Sequence, residues 1–243
     1  MRVGLFVTCL VDLMRPRIGF AALRLLKAAG CEVIVPKTQT CCGQPGYNSG
    51  DRHSAKALAL KILREFADCD YLVAPSGSCA GMIREHYPRL FNEQPQHLEK
   101  ISELSRRTYE LTDFLVNVAK LQKIPGNFYG SVTYHDSCSG LRELGVKSQP
   151  RQLLAKISGL QLTEMQNCET CCGFGGTFSV KMGDISTRMA DNKCSAIQAS
   201  GADAVALGDL GCMLNIEGRL RRRGDRKTRV LHVAEILAGE ERV

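Results

Sequence analysis

Two stretches, Thr40-Cys-Cys-Gly-Gln-Pro-Gly-Tyr47 and Cys171-Cys-Gly-Phe-Gly-Gly176, carry the plan of the chain. Outward from each Cys-Cys-Gly, another cysteine precedes it across a gap of 31 or 32 residues, Cys9 or Cys138. A further one follows it across a gap of 35 or 38 residues, Cys79 or Cys212. Matching cysteines are offset by 129, 130 and 133 positions, so two triplets with both flanking spacings preserved mark an internal duplication. Cys9 closes the apolar run Val3-Gly-Leu-Phe-Val-Thr, and Cys138 follows Ser131-Val-Thr-Tyr-His-Asp-Ser. Cys79 comes just after Tyr71-Leu-Val-Ala-Pro-Ser-Gly-Ser, and Cys212 just after Ala204-Val-Ala-Leu-Gly-Asp-Leu-Gly. The turn-forming Pro125-Gly126-Asn127 separates two expected units, 1–125 and 126–243.

Short apolar strand patterns alternate with longer helical ones. The first half reads as strand 2–8, helix 17–29, strand 32–36, helix 52–67, strand 70–75, helix 79–87 and a helix near 110–120. The second reads as strand 130–135, helix 148–158, strand 160–165, helix 182–199, strand 203–208, helix 212–222 and a strand or helix start at 229–237. Segment 88–108, with Pro88 and Pro95, reads as an irregular insertion over one face. The fold class is therefore α/β: two duplicated, Rossmann-like three-layer halves with mostly parallel sheets. In such sheets sites form beyond the carboxyl ends of the strands, where all eight matched cysteines fall.

Twelve cysteines in 243 residues are too few for a disulfide miniprotein and many for a cytosolic enzyme. The Val3–Val11 run is short, ends at Asp12 and precedes no cleavage pattern, so it reads as a first strand rather than an export signal. Reduced thiols in the cytoplasm turn the reading towards metal or redox chemistry. No apolar run approaches the roughly 20 residues of a membrane helix. The net charge of +7 is concentrated in Arg219–Arg229, where seven of eleven residues are basic. That segment reads as a solvated helix end or a docking surface for an acidic protein. Nucleic acid is not expected, because no aromatics interleave with the basic residues.

Adjacent cysteines point apart, so a Cys-Cys pair serves one centre only if the backbone bends; Gly43 and Gly173 allow that bend. A polynuclear iron–sulfur centre suits the pattern better than a single zinc, whose ligands usually form a Cys-x₂₋₄-Cys knuckle. Cys168-Glu-Thr-Cys171 is such a knuckle, but Thr38 stands where its counterpart would be, and the role of Cys168 is open. The expected metal ligands are Cys9, Cys41, Cys42, Cys79, Cys138, Cys171, Cys172 and Cys212. Cys31, Cys69 and Cys194 read as core residues. His135 and Asp136 precede Cys138 closely, as active-site candidates or as structural hydrogen-bonding groups; Phe6 and Val7 occupy the matching places. No dinucleotide or P-loop glycine pattern occurs, so neither flavin nor nicotinamide is expected on this chain.

The doubled Cys-x₃₁-Cys-Cys-Gly-x₃₅-Cys plan resembles the cysteine-rich, or CCG-domain, family. That family includes the B subunit of heterodisulfide reductase and the iron–sulfur subunits of glycolate and anaerobic glycerol-3-phosphate dehydrogenases. The resemblance extends through Pro75-Ser-Gly-Ser-Cys79 and Tyr134-His-Asp-Ser-Cys-Ser-Gly-Leu-Arg142 and covers essentially the whole chain. The lactate-utilisation branch is the most similar. It implies an iron–sulfur redox subunit with one or two [4Fe-4S] clusters, working with other subunits of a cytoplasmic system that oxidises L-lactate to pyruvate. The family closes each motif with Cys-x-x-Cys, whereas here Met82 follows Cys79 and Asn215 follows Cys212. That departure points to simpler cubanes or to a single cluster, with Met82 in the core. A cluster-based thiol–disulfide reductase and a zinc-stabilised binding module are the rival readings.

Overall fold

The computed structural model describes residues 1–239, so the expected second unit, 126–243, runs past the described residues at 240–243. In chain order the first half comprises β1 (Arg2–Leu5), α1 (Cys9–Met14), α2 (Pro16–Ala28), β2 (Glu32–Ile34), α3 (Gln44–Asn48), α4 (Arg52–Glu65) and β3 (Tyr71–Ala74). It continues with α5 (Gly77–Gly81), a π-helical turn at Met82–His86, α6 (Tyr87–Leu90), α7 (Pro95–Arg106), β4 (Thr108–Glu110), α8 (Leu111–Asp113) and a π-helical turn at Phe114–Val118. The second half opens with β5 (Gly130–His135), a π-helical turn at Ser139–Glu143, α9 (Ser148–Leu154) and β6 (Leu160–Leu162). It ends with α10 (Thr177–Lys181), α11 (Gly183–Ala199), β7 (Ala204–Leu207), α12 (Leu210–Arg222), β8 (Arg229–His232) and α13 (Val233–Ala238).

The strands form two four-stranded sheets, in the orders β2-β1-β3-β4 and β6-β5-β7-β8, and every pairing is parallel. Equivalent registers set Val3 against Val33 and Tyr71, and Val132 against Leu162 and Ala204. The strand order reverses between β1 and β3 and again between β5 and β7, which opens a crevice at each carboxyl edge.

Two sequence expectations need correction. The helix expected near 110–120 is present as α8 and the turn Phe114–Val118, but an unexpected strand precedes it, β4, whose Thr108, Tyr109 and Glu110 pair with Leu72, Val73 and Ala74. Three residues with no preceding turn signal leave too short a pattern to recognise as a strand. The supposedly irregular 88–108 contains the twelve-residue α7, which uses Pro95 at its first position and buries Ile101 and Leu104.

The halves meet through a shared core. Val3, Leu5, Leu25 and Leu26 pack in one cluster with Val132, Leu153, Leu154, Ile236 and Leu237. The contacts are reciprocal: α2 packs on α13, and its counterpart α9 packs on α8. Helix α2 supplies its share through an apolar stripe of Ile18, Ala21, Ala22, Leu25 and Leu26 at helical spacing. Cys31, Cys69 and Cys194 are buried among apolar side chains, as their core reading required.

Candidate metal centres

The loops after β1, β2 and β3 bring together Cys9, Cys41, Cys42 and Cys79. Their thiols form a chain of contacts in which Cys9 meets Cys41, Cys41 meets Cys42, and Cys42 meets Cys79 at 3.5 Å between sulfurs. The second half repeats the arrangement in the order Cys138, Cys171, Cys172 and Cys212. All eight sequence-predicted residues therefore fall into two groups of four.

Local backbone geometry accounts for both groups. Thr8 takes φ +74°, a strained value for a β-branched residue, and caps α1 by accepting from the Val11 N–H, so Cys9 starts a helix immediately after the strand. Gly43 and Gly173 take φ +84° and +86°. A Cβ on Gly173 would stand 2.7 Å from the Ser186 carbonyl oxygen, so only glycine lets the loop lie on α11. Their N–H groups point back at sulfur, Gly43 to Cys41 at 3.4 Å and Gly173 to Cys171 at 3.3 Å. Cys79 and Cys212 sit in the first turns of α5 and α12, capped by Ser76 and Asp209. Positive helix ends and N–H donors favour thiolate over thiol. Hydrogen bonds from Cys42 and Cys9 hold Cys41 well below the ordinary thiol range; Cys138 and Cys172 do the same for Cys171.

The positions three residues after Cys79 and Cys212 contribute no sulfur to the groups. Met82 is fully buried in the core, as expected. Asn215 donates from Nδ2 to the Cys172 carbonyl at 2.9 Å, and in the first half the Tyr87 hydroxyl performs the same task on the Cys42 carbonyl at 2.7 Å. The sequence reading missed both anchors, because each acts on backbone across a long separation in the chain.

The linings of the two groups differ. Beside the first lies the buried Tyr87, and Phe6 and Ile62 belong to the same apolar cluster as Cys42 and Cys79. In the second, His135 stands in the place of Phe6, fully buried at the end of β5, with a ring nitrogen within 4.8 Å of the sulfurs of Cys172 and Cys212. Burial, followed by the charge of Lys193, pushes this imidazole down to about 4. Asp136 is buried against Arg151, which grips both its oxygens at 2.8 and 2.9 Å. Lys193 is buried as well and donates to the Asn167 and Cys168 carbonyls at 2.7 and 3.1 Å. Gly43 faces Ala55 and Leu58 of α4, while Gly173 faces Ser186 and Met189 of α11; that frame sets Lys193 opposite Ile62. A charge where the repeat has an apolar residue was the available signal for Lys193.

Cys168 stays outside the second sulfur group. It lines an open cleft of about 690 Å³ with Arg142, Asn167, Glu169, Thr170, Cys171 and Met189. Much of the basic segment is tied down within the chain: Arg219 holds Asp191 at 2.6 Å, Arg223 bonds the Asp191 carbonyl, and Arg221 bonds the Asp225 and Thr228 carbonyls.

Both groups face the seam between halves. Helix α1, which begins at Cys9, packs on α12, which carries Cys212; the turn after Cys138 packs on α5, which carries Cys79. There a Cβ on Gly77 would stand 2.9 Å from the Gly140 backbone, and the Asp209 carboxylate accepts from the Ser78 N–H at 2.8 Å. Among the described residues no helix is long and apolar enough to cross a membrane.

Comparison with known proteins bears on these groups directly. The CCG cysteine-rich domain model matches residues 3–84 and again residues 132–217. Lactate utilization protein A of Geobacillus kaustophilus (strain HTA426) is 49% identical, over 98% of this chain and 98% of its own. The protein of that name from Bacillus subtilis (strain 168) is 47% identical, over 98% of this chain and 99% of its own. A hypothetical protein from Helicobacter pylori, known from its crystal structure, superposes with a TM-score of 0.63 at 14% identity. That match covers the whole of this chain and 49% of the other, and the likeness is one of fold alone. Matched twice by the domain model, and nearly half-identical to these relatives along almost its whole length, the chain belongs to the CCG family of cysteine-rich-domain proteins.

Proposed function

We propose that the chain is an iron–sulfur redox subunit of a cytoplasmic, multi-protein system that oxidises L-lactate to pyruvate. The observation that carries the reading is the gathering of eight thiols into two equivalent groups of four at sheet carboxyl edges. The substrate comes from the relatives, which are named for lactate utilization. The donor set suits thiolate-bound metal: soft sulfur ligands, glycine loops that aim N–H groups at sulfur, and little competing oxygen in the first half. Cys9, Cys41, Cys42 and Cys79 would hold one [4Fe-4S] cluster, and Cys138, Cys171, Cys172 and Cys212 the other.

When bound, such clusters supply one-electron transfer. The protein's own part is to hold the thiolates, with Cys42, Cys79, Cys172 and Cys212 buried. The Gly43 and Gly173 N–H groups stabilise charge on Cys41 and Cys171, while Tyr87 and Asn215 fix the loops that present Cys42 and Cys172. Because both sulfur groups face the seam, electrons can pass between halves without leaving the chain. Removing hydride from lactate needs an acceptor such as flavin or nicotinamide. We assign that step to partner subunits, with units 1–125 and 126–243 each contributing one electron carrier.

A second reading, a zinc-stabilised binding module, draws support from one distance. Thiolates on a single tetrahedral zinc lie about 3.8 Å apart, close to the 3.5 Å between Cys42 and Cys79. Anaerobic purification with iron, zinc and sulfide analysis and electron paramagnetic resonance decides between the two. Iron with equimolar sulfide is expected; a colourless protein with stoichiometric zinc would overturn the redox reading. Lactate-dependent dye reduction is expected only when partner subunits are present. Turnover by the single chain would move the chemistry to His135 and Asp136.

A further inference from the structure

A fully buried imidazole without a hydrogen bond is unusual, since nearly all buried polar groups find a partner. His135 is such a group: neither ring nitrogen makes a hydrogen bond of normal geometry, although the Cys168 carbonyl lies beside the ring. The ring is also placed with purpose. β5 pairs on both sides, with β6 and β7, and His135 is its last residue, in register with Leu207. The side chain is thus delivered to the carboxyl edge by a central strand of its sheet. There one ring nitrogen, the Cys172 sulfur and the Cys212 sulfur all lie within 4.8 Å of one another.

The other half supplies the control. Phe6 fills the matching position in an apolar cluster that includes Phe66 and Ile62, so the fold does not need a polar ring there. Around His135 the neighbours are committed elsewhere. Asp136 is held by Arg151, and Lys193 spends its donors on the Asn167 and Cys168 carbonyls. Besides the Cys168 carbonyl, which already accepts from Lys193 and from the Asp136 N–H, what remains within reach of the imidazole is sulfur and whatever the sulfurs bind.

We propose that His135 is a nitrogen ligand of the metal centre in the second half, taking the place of one of its four cysteines, so that this centre has mixed cysteine and histidine ligation while the first has sulfur alone. Imidazole is a common metal ligand and replaces thiolate at some iron–sulfur centres. The inference rests on the reading that the second sulfur group holds metal. It goes beyond that reading in assigning a donor the cysteine pattern does not contain.

The test labels histidine with ¹⁵N in protein carrying Cys41→Ser and Cys42→Ser, so that the remaining metal belongs to the second half. Pulsed electron paramagnetic resonance is recorded on the reduced protein if analysis finds iron and sulfide, and on cobalt-reconstituted protein if it finds a single metal. The expected result is a strong nitrogen coupling that changes with the label and disappears in His135→Phe, the side chain the first half uses. If the double-serine protein fails to fold, the same comparison is made between the unsubstituted chain and its His135→Phe variant. Metal with no strongly coupled histidine nitrogen overturns this inference alone. A second half that binds no metal overturns the proposed function along with it.

Discussion

The two halves share a sheet order, a register, a glycine bend and four thiols, yet they surround those thiols differently. In the first half Cys42 and Cys79 share an apolar cluster with Phe6 and Ile62. In the second, His135, Asp136 and Lys193 are buried in the corresponding wall. The difference teaches which parts of the duplicated plan are constrained. Sulfur positions are set by loop geometry and helix starts, and a change there would scatter the ligands. The wall has to be filled and its polar atoms paired, and either a packed apolar set or a paired charged set meets that condition. Buried positive charge favours the more reduced, more negative state of a nearby redox centre. A pair of centres with these walls would therefore differ in potential, the second accepting electrons more readily.

The sharpest way to break this comparison is to exchange the walls. Ile62→Lys places a cation in an apolar cluster, where the Thr38 carbonyl is already held by Lys61, and is expected to cost at least about 4 kcal/mol. The reverse change, Lys193→Ile, removes the cation but leaves two carbonyls short of a donor and should cost about 2 kcal/mol. It should also lower the potential of the second centre. Denaturant midpoints and a redox titration read these effects, and equal costs would mean that the walls are interchangeable. Next in size is metal content. Cys41→Ser with Cys42→Ser, or Cys171→Ser with Cys172→Ser, should each remove about half of the bound metal, and all four together nearly all of it. Complete loss from either pair alone, in folded protein, would show a shared or single centre.

The comparison extends to pH, because Glu110 and His232 occupy matching ends of β4 and β8 and each caps the next helix. Burial raises Glu110 to about 7, even as it accepts hydrogen bonds from Thr112 and Asp113, with Tyr134 facing it. Its folded form holds a proton the unfolded chain has lost, so this contribution fades as pH rises from about 4.5 to 7. Burial lowers His232 to about 4, so its contribution fades as pH falls from about 6.5 to 4. Each is worth up to about 3 kcal/mol. Stability against pH should therefore tilt in opposite directions in Glu110→Gln and His232→Gln, and parallel curves would refute the assignment. The smallest effect belongs to the loop anchors. Tyr87→Phe and Asn215→Ala each remove one hydrogen bond to a cysteine carbonyl and should cost about 1 kcal/mol. Faster metal loss from the affected half alone would sharpen the pairing of these two residues.

By itself the sequence determined the duplication, the α/β class, the parallel strands and the eight cysteines that come together. These are legible because spacing and periodicity are local or repeat along the chain, and the repeat checks each reading twice. Where the repeat was faint, the reading failed: β4 is three residues long, and α7 starts at Pro95 inside a segment that reads as irregular. Only the tertiary structure decided what surrounds the sulfurs. That Asn215 and Tyr87 hold equivalent carbonyls, that Lys193 is buried, and that the imidazole of His135 reaches two sulfurs all depend on side chains converging from distant segments. Residue types along the chain record which groups are available. Only packing determines which of them lose water, find partners and face one another.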